Sequence, residues 1–119
     1  MELAILHSGH PTARKEHTCM FCGGTIQKGE TYSRQTNAYD GRVYDWVTHC
    51  KCEELASLLD MYYSNDDDGL DGYDFDAFVW DAIESLHPNR DEACDMTTEQ
   101  RVDWLMAHRD LVDEYMKDN

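Results

Sequence analysis

The apolar positions of the chain change period along its length, and each change predicts an element. Glu2–Leu6 is a short apolar run that suits one strand, and His7 to Glu16, with Gly9 and Pro11, breaks it with loop. Strand-formers alternate with polar residues on either side of Asp40-Gly41, a strong hairpin signal, which predicts strands over 31–37 and 42–48. From Cys52 the period becomes helical. Leu55, Leu58, Leu59 and Tyr62 fall at i, i+3, i+4 and i+7, so a helix with one buried stripe is expected over 52–63. Residues 64–72 (Ser-Asn-Asp-Asp-Asp-Gly-Leu-Asp-Gly) read as loop. A second helix is expected from Asp74 to His87, burying Phe75, Phe78, Val79, Ala82 and Leu86 and stopped by Pro88. Thr97-Thr-Glu-Gln is a capping box that opens a last helix running to about Met116. That helix should bury Val102, Leu105, Val112 and Met116, with Trp104, His108, Leu111 and Tyr115 widening its face. The class implied is α+β: a hairpin module over 1–63, then two acidic amphipathic helices over 64–119 packed on it as one compact unit.

One segment fits neither period. His17-Thr-Cys-Met-Phe-Cys-Gly-Gly-Thr-Ile has the look of a zinc knuckle, two thiolates projecting from a tight bend with glycines that let backbone N–H groups reach the sulfurs. A second pair, His49 and Cys52, has the same separation and follows after 26 residues (23–48). Paired ligands two residues apart can hold one ion from a single turn, and structural zinc takes four tetrahedral N/S donors. Cys19, Cys22, His49 and Cys52 are therefore the expected ligands of one structural Zn2+. Cys50 and His17 compete for the place of His49, and Cys94 is expected to be no ligand. A complete Cys3His set closes the coordination sphere, so the metal's expected task is folding rather than catalysis, and no catalytic residue is assigned.

The run Cys-x2-Cys-Gly-Gly-Thr-Ile-x-Lys-Gly-Glu-x-Tyr-x-Arg, followed by Trp-Val-x-His-x2-Cys, resembles the treble-clef zinc fingers. Within them it looks most like the poly(ADP-ribose) polymerase-type finger, on Cys19, Cys22, Ile26, Gly29, Arg34, Trp46, His49 and Cys52. The resemblance covers residues 17–52 only. It implies the knuckle–hairpin–helix fold and zinc, and fingers of that type grip broken DNA through basic and stacking residues.

Charge changes that last implication. The 119 residues carry a formal net charge of −15. Residues 1–51 are near balance, with Arg14, Lys15, Lys28, Arg34, Arg42 and Lys51 against five carboxylates. Residues 52–119 hold twenty acidic side chains and four basic ones, a net of −16. Such a segment repels a phosphate backbone, and the ratio exceeds what solubility needs. Nucleic acid is thus an improbable partner, and a basic, nucleic-acid-binding protein is the expected one. By composition alone the chain resembles small acidic accessory proteins of bacteriophages.

The acidic half contains two candidate sites. Around Asp66 to Asp76 an EF-hand loop can be tried, but with Gly69 or Gly72 at the sixth position the twelfth falls on Phe75 or Phe78, which supplies no carboxylate. A solvated acidic loop is the better reading. Trp80 lies off the apolar stripe of its helix, near Glu84, and an exposed tryptophan among carboxylates resembles an interaction hot spot; packing against the zinc module or the last helix is the equal competing reading. With Asp74, Asp81, Glu84, Asp103, Asp110, Asp113 and Glu114 it forms the expected partner-binding set, carboxylates on rigid helices that imitate a phosphate backbone.

The sequence therefore predicts a non-enzymatic zinc protein whose acidic surface engages a basic partner, as a phage-type, anti-defence inhibitor acting as a nucleic-acid mimic. The alternatives are a nucleic-acid-binding zinc finger with an acidic regulatory tail and, third, a metal-dependent enzyme. The start has no secretory pattern and no run of about 20 apolar residues occurs, which predicts a cytoplasmic protein with reduced cysteines and no membrane partner.

Overall fold

The computed structural model describes residues 4–61 and 71–117. It is α+β, with a small antiparallel sheet followed by helices. Strand β1 (Ala4–Gly9) pairs with β4 (Tyr32–Tyr39), which pairs with β5 (Arg42–His49), giving the order β1-β4-β5. The β4–β5 turn is Asp40-Gly41, with φ of 53° and 76°. Two left-handed residues in succession make the turn whose twist matches the flanking strands, and Gly41 takes that conformation without a steric cost. A second, two-stranded sheet joins β2 (His17–Thr18) to β3 (Thr25–Ile26), with the loop 19–24 between them.

Helix α1 (Cys50–Leu58) follows β5 without a linker. It starts two residues before the expected position and ends five before it, where the chain turns out through Asp60 at φ 52°. Tyr62, Tyr63 and most of the expected 64–72 loop, including the Asp66–Asp68 run, lie outside the described residues.

Helix α2 (Gly72–Leu86) is capped by Asp71, whose Oδ1 accepts the Asp74 N–H at 2.8 Å. It ends at His87, held extended before Pro88. Its buried stripe is Phe75, Val79, Ala82 and Ile83; Ile83 was not expected there, and Phe78 and Leu86 are half-buried.

The rest departs from the expected single helix. A short α3 (Arg90–Cys94) is capped by Asn89, and the Thr97 segment gives two helices, α4 (Thr98–Ala107) and α5 (Arg109–Lys117). The break is at His108, whose Nδ1–H donates to the Trp104 carbonyl at 2.7 Å, while its backbone N–H reaches only Leu105 O. A side chain that bonds its own helix's last turn competes with continuation of the backbone ladder. The capping box is formed: Gln100 N–H donates to Thr97 Oγ1 at 3.1 Å, and Thr97 N–H to Gln100 Oε1 at 2.8 Å. Thr97→Ala should therefore lower the unfolding free energy by about 1 kcal/mol, measured by urea denaturation. A change below a few tenths would show that the box contributes nothing to α4.

One core connects the sheet and the helices. It includes Ile26, Tyr32, Leu55, Met61, Phe75, Val79, Ile83, Val102, Leu105 and Val112. Phe21, from the loop between β2 and β3, stacks on Phe75 of α2 with ring centres 4.6 Å apart, and Trp46 of β5 meets it edge-on at 5.6 Å. That aromatic triplet ties the cysteine loop to both sheet and helices.

Candidate metal centre

Three local structures bring four donors together. Cys19 and Cys22 lie on the bend between β2 and β3, closed by Gly23 N–H to Cys19 O at 2.9 Å and Cys19 N–H to Gly24 O at 2.8 Å. His49 is the last residue of β5 and also the N-cap of α1. Cys52 is in the first turn of α1, so its sulfur lies on the same side as the preceding strand end. The four ligand atoms fall within 4.8 Å of one another, and together the residues can hold a metal ion. Cys19, His49 and Cys52 are buried and Cys22 half-buried.

The spacing within the cluster suits a small tetrahedral ion. Zn–S bonds of about 2.3 Å and Zn–N bonds of about 2.0 Å place a thiolate and an imidazole nitrogen roughly 3.6 Å apart. Cys22 Sγ and Cys52 Sγ lie 3.3 and 3.7 Å from His49 Nδ1. The imidazole is oriented for this. Its Nε2–H donates to the Thr25 carbonyl at 3.0 Å, which turns Nδ1 to the sulfurs, where it can ligate once its proton is displaced. The sulfurs also accept backbone donors: Cys22 N–H to Cys19 Sγ at 3.5 Å, Gly24 N–H to Cys22 Sγ at 3.4 Å, and His49 N–H to Cys19 Sγ at 3.3 Å. Partial positive charge aimed at sulfur favours the thiolate, the form that binds metals.

The four donors share protons unevenly. Hydrogen bonds from Cys22 and Cys52 hold Cys19 far below the ordinary thiol range, against the desolvation of its buried sulfur. Cys52, interacting with Cys19 and Cys22, is pushed up in turn. His49 is pushed up to about 11 by its hydrogen bonds to Cys19 and Cys22. Metal binding takes thiolates and neutral imidazole, so a divalent cation would have to displace the protons that Cys52 and His49 hold.

The competing ligands lie elsewhere. Cys50 points away, its thiol donating to the Thr31 carbonyl at 3.5 Å, and burial together with Glu53 and Glu30 pushes it up. His17 packs on the Tyr32 ring at 4.9 Å. Cys94 is exposed at the end of α3.

Around the cluster lies a second layer that the sequence pattern did not mark. Glu99 of α4 places Oε2 at 3.4 Å from His49 Nε2, and Glu30 places Oε2 at 4.0 Å. Lys51, between two ligands, donates to Glu99 at 2.8 Å and to Asp103 at 2.9 Å. Burial works against the Lys51 charge, but Asp103 and Glu99 outweigh it and its pKa is raised. In the sequence Glu99 reads only as part of the helix-opening Thr97-Thr-Glu-Gln run. Nothing local distinguishes it, since it meets His49 across 50 positions of sequence.

The expected partner-binding residues separate into two groups. Asp81, Glu84, Asp110, Asp113 and Glu114 are exposed, and none has an ion-pair partner among the described residues. Asp103 is also exposed but bonded to Lys51, and Asp74 is half-buried with its N–H on Asp71. Of the two readings of Trp80, the ring takes the packed one against the last helical segment rather than the exposed one beside Glu84. It is half-buried against the core, and the Arg101 guanidinium lies 4.8 Å from its ring centre. The reason is geometric: α4 packs over the flank of α2 that a lone-helix projection assigns to solvent.

No protein-family model matches the chain, and no curated protein or solved structure matches it either. Among the described residues, no helix is long and apolar enough to cross a membrane.

Proposed function

We propose that this is a non-enzymatic protein organised round one structural zinc, whose acidic surface binds a basic, nucleic-acid-binding protein. The observation that carries it is the completeness of the buried Cys3His set. Four protein donors leave no position for a substrate or activated water, so the ion's contribution is to the fold. The order of cysteine loop, hairpin and helix about those donors supports a treble-clef module. Softness of the donors favours zinc over magnesium or calcium, which take oxygen ligands.

The acidic surface takes its support from charge and exposure. Five carboxylates on α2 and α5 stand in solvent outside every ion pair among the described residues, within a segment whose net charge is −16. Of the basic residues on which duplex binding would depend, Arg34 is already held by Asp45 at 2.6 Å. An inhibitor that mimics nucleic acid, of the kind phages direct at host defence complexes, is the concrete form of this proposal.

The test compares charge reversals on the intact, zinc-loaded protein, against a basic partner recovered from its native cell and against a short DNA duplex. Asp81→Lys with Glu84→Lys should weaken partner binding far more than Arg34→Glu with Arg42→Glu. Association should slow steeply with added salt. No duplex binding is expected at about 150 mM salt, where the Debye length is roughly 8 Å. Micromolar duplex affinity, abolished by the arginine reversals, would instead establish the nucleic-acid-binding finger.

A further inference from the structure

Helix α4 reaches the metal centre at one side chain, and the contact is closely fitted. Glu99 lies in the first turn of α4, two residues after the cap. Its Oε2 is 3.4 Å from His49 Nε2 and 2.8 Å from Lys51 Nζ. Its other oxygen lies over Gly24, where a Cβ would come within 2.3 Å of Oε1 and 2.8 Å of Cδ. Gly24 is also the residue whose N–H bonds Cys22 Sγ. One carboxylate thus touches the outer edge of the histidine and the backbone that supports a cysteine. Asp103, one turn further along α4, grips the same Lys51 at 2.9 Å, so two carboxylates of one helix hold a lysine set between two ligands.

We propose that Glu99 is an outer-sphere positioning residue of the metal centre, through which α4 sets how tightly the zinc is held. This rests on the zinc reading above. A metal-ligating histidine commonly presents its second nitrogen to a carboxylate or a carbonyl, which fixes the ring and makes the ligating nitrogen a better donor. Here the Thr25 carbonyl takes the hydrogen bond at 3.0 Å, and the Glu99 charge stands beside the same N–H. Lys51 keeps that carboxylate in place. Gly24 leaves room for it, and any side chain at Gly24 displaces it.

Competition between full-length protein and a chromophoric chelator for Zn2+ tests the proposal. Glu99→Gln preserves shape and removes the charge, and should weaken zinc binding about 10-fold or more. Gly24→Ala leaves Glu99 chemically intact but pushes its carboxylate away, and should give a loss of similar size. Combined, the two should cost little more than either alone, because each removes the same interaction. Glu92→Gln, at an exposed position of α3, should bind zinc as the wild type does. Absorption of the Co2+-loaded forms should show tetrahedral thiolate coordination in every variant, which establishes that the four ligands still assemble. Zinc affinity of Glu99→Gln within twofold of wild type would overturn the proposal, as would full multiplication of the two losses in the double variant. Wild-type protein that takes up neither metal would overturn the zinc reading itself, a different result from failure of Glu99 alone.

Discussion

Replacing Cys52 with serine should abolish both metal binding and the cooperative unfolding transition of the chain. Cys52 is fully buried in the first turn of α1, so a serine there cannot exchange its lost ligand for water without opening the core around Leu55 and Ala56. The energetic case is one of scale. Structural zinc sites bind with roughly 10–16 kcal/mol, whereas native domains of this size are stable by about 5–15 kcal/mol in total. Loss of the ion therefore removes a quantity comparable with the entire margin. The local architecture offers little in its place: β2 and β3 are two residues each, and besides its bonds to sulfur and the Phe21 ring contacts the loop between them has two backbone hydrogen bonds across its own bend and one from Met20 N–H to Val47 O. Elemental analysis should find about one zinc per wild-type chain and none in Cys52→Ser, whose circular dichroism should show no sigmoidal melt. Cys50→Ser and Cys94→Ser should keep the metal and the melt, because their thiols lie outside the cluster. Acid should release the ion from the wild type, since thiolates and imidazole must be free of protons to bind it. A Cys52→Ser protein with one zinc and an unchanged melt would remove that residue from the site.

How much of this was legible in the chain follows the range of the interactions involved. The hairpin was, because Asp40-Gly41 names its own turn and both of its φ angles are positive. The four donors were, because two pairs with the same separation leave few other arrangements. His49 is preferred to Cys50 in the sequence because only His49 keeps the two-residue spacing to Cys52, and in the fold Cys50 turns to the Thr31 carbonyl instead. The break at His108 was hidden because the apolar stripe on either side keeps helical phase; a single hydrogen bond from the imidazole to Trp104 ends the ladder. Helix α3 has five residues, too few to establish a period. Which of its two readings Trp80 takes is hidden for a related reason. A helix projected alone shows which residues share a face, but it shows nothing of α4 lying over the flank. Glu99 belongs to the same class, a polar residue whose role appears only when α4 meets the cysteine loop.

Phe75→Ala is expected to have the next largest effect, and to act without disturbing the metal. Phe75 is fully buried and stacks on Phe21 with the two ring planes 4° from parallel. Phe21 in turn sits on the cysteine loop beside Trp46, so the pair joins α2 to both the metal loop and the sheet. Truncation removes most of an aromatic side chain and leaves a cavity that α2, pinned by Asp71 at one end and Pro88 at the other, cannot readily collapse. Phe→Ala in such a core costs about 3–5 kcal/mol, and the lost ring contact belongs to that total. At about 4 °C per kcal/mol for a domain of this size, the melting temperature should fall by roughly 12–20 °C. Zinc content at low temperature should stay near one per chain, because Phe75 supplies none of the four donors. Tyr73, two residues earlier and 86% exposed, is the control: Tyr73→Ala should shift the melt by no more than about 2 °C. If the helices and the zinc module unfolded independently, Phe75→Ala would lower only a helical transition and leave a second, metal-dependent one in place. A single transition, lowered as a whole and still dependent on zinc, is the result that the shared aromatic core requires.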